Sequence, residues 1–123
     1  MANLPNSPNI EGVWHLESYV RDGQATSVTG IFILTDGQWS TLYFVPQAQS
    51  GQYWGSAESG RYQVQGDCLT FHHELTFQGG GGKPLLIDLA STTVEAFRLT
   101  INDGSLTIDF PSGSVIHCRR HSP

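Results

Sequence analysis

Charge, lysine and cysteine are all scarce in this 123-residue chain. Charged residues make up 14% of it, the net charge is -5, and Lys83 is the only lysine. A nucleic-acid-binding domain carries a clustered basic surface. The only adjacent basic pair here is Arg119-Arg120, so neither nucleic acid nor an anionic membrane is an expected partner. No apolar run approaches the length of a membrane span. The stretch "MANLPNSPNIEG" has no basic region followed by an apolar one, as a signal peptide would, and this points to a cytoplasmic protein. Cys68 and Cys118 form no C-x-x-C pair and read as reduced thiols, with a disulfide between adjacent strands as the alternative.

Several chemical signatures are missing as well. There is no H-E-x-x-H spacing for a metal and no G-x-S-x-G elbow for a nucleophilic serine. The glycine run "QGGGGKP" is not a phosphate loop, because Pro84 follows the lysine and no helical pattern succeeds it. The expectation is therefore a protein without metal or cofactor. Sustained helical periodicity is also absent.

What is present is a series of short alternating segments punctuated by turn residues. "EGVWHLESYVRDG" places Trp14, Leu16, Ser18 and Val20 on one face and stops at Asp22-Gly23. "GIFILT" runs into Asp36-Gly37, a strong hairpin signal. In "QWSTLYFV" Trp39 and Tyr43 share one face and Leu42 and Phe44 the other, so either can be internal. "PQAQSGQYWG" reads as a loop, with Tyr53 and Trp54 placed to cover one mouth. "SAESGRYQVQ" and "CLTFHHELTF" form a hairpin about Gly66-Asp67. The glycine run reads as a flexible loop, "LLIDLA" as a short strand or helix, and "TVEAFRLTI", "SLTIDF" and "SVIHCRR" as further strands. Residues 1–9 read as a leader, 10–120 as one domain and 121–123 as a tail. The fold class expected is all-β: an antiparallel up-and-down barrel of about eight strands, since closure removes exposed edges. A barrel of that size either fills with side chains or holds one small ligand.

The adjacent histidines of "TFHHELTF" cannot face the same space, because successive strand residues alternate. His73 shares a face with Leu69, Phe71, Leu75 and Phe77, the apolar one expected to point into the barrel; His72 goes with Cys68, Thr70 and Glu74. Counting back from the hairpin puts Gly60 opposite His73 and Tyr62 opposite Phe71, with Glu58 a diagonal neighbour of His73. A carboxylate beside an imidazole orients it for proton transfer. The plainer alternatives are a buried, internally bonded His73 and a Glu58 at the rim in water. Trp39, Tyr43, Trp54, Tyr62, Phe71, Phe97 and His117 join His73 as candidate lining of a cavity, with core packing the alternative for the aromatics and an outward orientation for His117. Arg61 and Arg98 belong to outer faces.

"IEGVWHLESY" resembles the G-x-W opening strand of the lipocalins and other calycins. "ESGRYQVQGDCLTFHHELTF" and "EAFRLTINDGSLTI" resemble segments of the bacterial lipocalin-like domain family, and the likeness runs from Ile10 to Arg120. The resemblance implies a barrel with a cavity. It also implies that Trp14 closes one end, with Arg119 or Arg120 packed over it. The family's paired histidines, aligned without a gap, fall on Phe71 and His72 rather than on His72 and His73. The leading functional expectation is binding of a hydrophobic or aromatic small molecule. The first alternative is a cofactor-free isomerase or cyclase using His73 and Glu58. The second is a dimerising structural barrel, with a homodimer as partner and an interior filled by Phe71, Phe77, Trp39 and Phe97.

Overall fold

A computed structural model describes residues 9–46, 52–102 and 104–122. Of the expected leader and tail, residues 1–8 and 123 lie outside the described residues. Ten strands are present among the described residues: β1 (Gly12–Arg21), β2 (Gln24–Ser27), β3 (Thr29–Thr35), β4 (Gln38–Pro46), β5 (Tyr53–Gln65), β6 (Cys68–Gly80), β7 (Lys83–Asp88), β8 (Val94–Asn102), β9 (Ser105–Asp109) and β10 (Val115–Arg120). Eight of them pair antiparallel in the order β1-β3-β4-β5-β6-β8-β9-β10, and β10 pairs back onto β1 to close a barrel. The two extra strands, β2 and β7, pair with β1 and β6. The architecture is the all-β, up-and-down barrel expected. No helix among the described residues is long and apolar enough to cross a membrane.

Turn chemistry sets the strand ends. At Asp22-Gly23 and Asp36-Gly37 both residues have positive φ (52° and 77°, 48° and 81°). Paired positive φ is the two-residue conformation whose twist matches that of the flanking strands. The glycine run is not a loop, since β6 continues through it to Gly80 and a tight turn leads into β7. "LLIDLA" accordingly resolves as mostly strand. Tyr53 and Trp54 likewise belong to the start of β5, not to a covering loop.

Two β-bulges decide which side chains reach the interior. In β1, Leu16 pairs with Cys118 and Ser18 with His117, leaving Glu17 as the extra residue. Alternation flips there: Trp14 and Leu16 face in before it, and Tyr19 and Arg21 line the interior after it. The expectation that Trp14, Leu16, Ser18 and Val20 share one face therefore holds only up to the bulge. In β6, His73 pairs with Gly60 but Leu75 with Ser59, so Glu74 is the extra residue. Leu69, Phe71 and His73 are buried inside, whereas Leu75 and Phe77 emerge 46% and 50% exposed. Their expected inward placement is overturned. A bulge bends and twists its strand, which closing a small barrel requires. Gly60 makes the bulge possible, because a Cβ there would lie 1.8 Å from the His72 carbonyl oxygen.

The core occupies one end of the barrel. Trp14, Leu34, Tyr62, Val64, Leu69 and Leu106 are fully or almost fully buried there. Trp14 Nε1 donates to the Ile10 carbonyl at 2.9 Å. The Arg120 guanidinium lies 4.2 Å over the Trp14 ring and donates to the carbonyls of Glu11 (2.6 Å) and Asn9 (3.2 Å). The closing arginine is thus Arg120; Arg119 points outward to Glu17, at 3.4 Å. Cys118 is buried on β10 and Cys68 exposed on β6, both free. Those strands are not neighbours, so the alternative of a disulfide is excluded.

Candidate functional site

The other end of the barrel is hollow. A cavity of about 460 Å³ opens there, lined by side chains of β1, β3 to β6 and β8 to β10, with Lys83 from β7. That volume lies within the range of small-molecule sites. The interior is therefore not filled, and Phe77, expected to help fill it, is outside.

Aromatic rings make its floor. Trp39 stacks on Phe71 with centroids 4.6 Å apart, and Phe71 meets Phe32 and Phe97 edge-on at 5.6 and 5.2 Å. Phe97 continues the row to Phe110 at 4.7 Å. The register of β4 settles the orientation that alternation left open: Trp39, Thr41, Tyr43 and Val45 face the cavity, and Leu42 and Phe44 face out. Trp54 lines the mouth and tilts against Tyr43 at 5.9 Å.

One polar strip crosses this apolar wall, and His73 is its centre. Its Nδ1 lies 3.6 Å from Glu58 Oε1, the diagonal neighbour expected from the hairpin. Its Nε2 lies 2.5 Å from Glu95 Oε1, a close contact that lacks the alignment of a hydrogen bond. The imidazole is buried and its edge faces Trp39, centroids 5.0 Å apart. Trp39 is itself held by donating Nε1 to the His72 carbonyl at 3.3 Å. Burial raises the Glu58 pKa, and Glu95 pushes it the same way; His73 and hydrogen bonds from Ser56 and Thr76 oppose the rise. Burial and the nearby Glu58 push the Tyr43 hydroxyl up to about 12, so it stays a neutral donor. Gln78 Nε2 donates to Ser56 Oγ at 3.4 Å.

The structure thus brings together Trp39, Tyr43, Trp54, Glu58, Phe71, His73 and Phe97. It removes two expected members. Tyr62 is packed into the closed end, with no hydrogen-bond partner on its buried hydroxyl, and does not line the cavity. His117 faces outward and shares a hydrogen bond with Thr107 at 3.2 Å. His72 also lies on the outer side, contributing only its carbonyl. Sequence reasoning missed Glu95, Tyr19, Arg21 and Lys83. Glu95 was detectable as a residue on the inner face of β8, which it shares with Phe97 and Leu99. Tyr19 and Arg21 were not, because the bulge at Glu17 reverses the face they occupy.

Among the described residues no three His, Cys, Asp or Glu side chains are grouped to hold a metal ion. Glu58 and Glu95 instead approach opposite ring nitrogens of one imidazole. No family model matches the chain, and no curated protein matches it.

Proposed function

We propose that the protein binds one small, largely apolar molecule in this cavity, on a barrel of the lipocalin-like type. The observation that carries the reading is the open volume of about 460 Å³ with an aromatic floor and a single polar strip. Apolar rings supply most of the burial energy, at about 25 cal/mol per Å² removed from water. Glu58, His73 and Tyr43 then supply the few directional contacts that fix orientation. Native mass spectrometry of protein purified without added ligand tests this directly. A co-purified compound of defined mass is expected. A bare 13.5 kDa mass, with no change in tryptophan fluorescence on adding medium-chain alcohols, overturns the reading; Trp39 and Trp54 line the cavity and report its occupancy.

One observation favours a second reading, a cofactor-free isomerase or cyclase. An imidazole with a carboxyl group at each ring nitrogen, facing a cavity, is equipped to accept a proton at one atom and return one from another. The discriminating measurement incubates the co-purified compound with protein in deuterated water. Deuterium entering carbon-bound positions, abolished by His73→Ala with little loss of affinity, supports catalysis. An exchange rate unchanged by His73→Ala eliminates His73 as the base.

A further inference from the structure

The chain has six cationic side chains, and four of them are engaged. Arg61 pairs with Glu74, Arg98 with Asp67 and Arg119 with Glu17; Arg120 caps Trp14. The other two, Arg21 and Lys83, have no ion-pair partner among the described residues, and both line the mouth of the cavity. The carboxyl groups of Glu58, 17% exposed, and Glu95, 45% exposed, both lie against His73. The cavity therefore carries its free cations at the opening and its carboxyl groups beside His73. An anion carried as far as His73 would meet these two carboxyl groups, whereas one held at the mouth meets two uncommitted cations.

We propose that the ligand is an amphipathic organic anion that enters apolar end first and leaves its anionic group at the mouth, against Arg21 and Lys83. This rests on the cavity-binding reading and adds the chemical class and the orientation. Titrations with decanoate, decanol and decylamine, followed by tryptophan fluorescence at low salt, test it. Decanoate is expected to bind about five- to tenfold more tightly than decanol, with decylamine weakest, and the preference is expected to shrink as salt is added. The double variant Arg21→Gln/Lys83→Gln is expected to bring decanoate down to the decanol level. The salt series on unmodified protein serves equally if the variant does not fold. Decanol binding as tightly as decanoate overturns the inference alone. Failure of all three probes to bind overturns the cavity reading with it.

A different observation carries a second proposal. The bulge at Glu74 turns Leu75 and Phe77 outward beside Leu42 and Phe44 of β4 and Leu85 and Ile87 of β7. Leu42, Ala57, Phe77 and Ile87 form one continuous cross-strand row. The six large residues are each between 44% and 59% exposed. At on the order of 90 Å² apiece they present roughly 500–600 Å², most of the approximately 800 Å² that one partner contributes to a standard interface. None of them is charged. A twofold axis sets a patch against itself, so a patch of one sign repels itself and a neutral one does not. On a chain of net charge -5 these six side chains add no like-charge repulsion between two copies.

We infer that a second copy of the chain covers this face. Sedimentation velocity of the whole protein is expected to give a dimer at micromolar concentration. Ile87→Lys, at a position already half exposed, is expected to give a folded monomer whose melting temperature no longer depends on protein concentration, and Leu42→Ser serves if that variant unfolds. A monomer at every concentration overturns the proposal, as does a dimer that survives both changes. So does a monomer that binds neutral phosphatidylcholine vesicles through these residues.

Discussion

Where β1 begins and β10 finishes, Trp14 is fully buried and Arg120 lies over its ring. At the opposite end Arg21, Lys83 and Trp54 surround an opening into the hollow interior. The same eight strands build both ends, so the difference lies in which side chains they send inward. The closed end receives large residues with their polar atoms mostly satisfied, apart from the Tyr62 hydroxyl. The open end receives a wall of rings, and a histidine between two carboxyl groups. A small barrel can be stabilised at one end and left available at the other, because the core contacts of one half hold every strand.

The contrast is broken most severely by removing the plug. Trp14→Ala is expected to cost about 3–5 kcal/mol, from lost burial and an unfilled cavity, and denaturant unfolding measures it. Arg120→Ala is expected to cost about 1–2 kcal/mol through the lost cation–π contact and carbonyl bonds. Retained ligand binding in folded Arg120→Ala protein would confirm that the two ends are separable. Gly60→Ala attacks the boundary between them. Its methyl group would collide with the His72 carbonyl at the bulge, so a loss of about 1–3 kcal/mol is expected, and here ligand binding should fall together with stability.

Glu58→Gln sharpens the comparison from the open end. Burial raises the folded-state pKa of Glu58, so the unfolded chain releases this proton at lower pH than the folded one. Folding stability from this group therefore falls as pH rises through the ordinary carboxyl range toward the raised value. Glu58→Gln should melt higher than the parent near neutral pH, with the gap closing as pH drops below the unfolded value near 4.5. A gap independent of pH would show that Glu58 is not held in this environment. The smallest effect concerns the thiols. Burial pushes the Cys118 thiol up to about 12. One thiol, Cys68, should react with a disulfide reagent in native protein and two in denaturant.

The fold was largely legible because turn residues and period-two alternation are local signals. Asp36-Gly37 and Gly66-Asp67 end strands wherever the chain places them. The Glu58–His73 pair was legible for the same reason, since a tight hairpin transmits register over a few residues. Legibility stopped at the bulges. An inserted residue costs the local pattern nothing, so "HHELTF" reads as unbroken alternation although Leu75 and Phe77 leave the interior. Glu95 comes from β8, which pairs with β6 but is separated from it by β7, and no local count links it to His73.

The sequence by itself determined that the chain is built of antiparallel strands, which turns join them, and that His72 and His73 face opposite ways. Tertiary structure decided that Arg120 rather than Arg119 covers Trp14. It also decided that β4 presents Trp39 and Tyr43 to the cavity, and that His73 lies between two carboxyl groups. The physical reason is that barrel closure imposes one register and one twist on all eight strands at once. The bulges at Glu17 and Glu74 adjust the strands to that demand, and in doing so they choose which side chains meet inside.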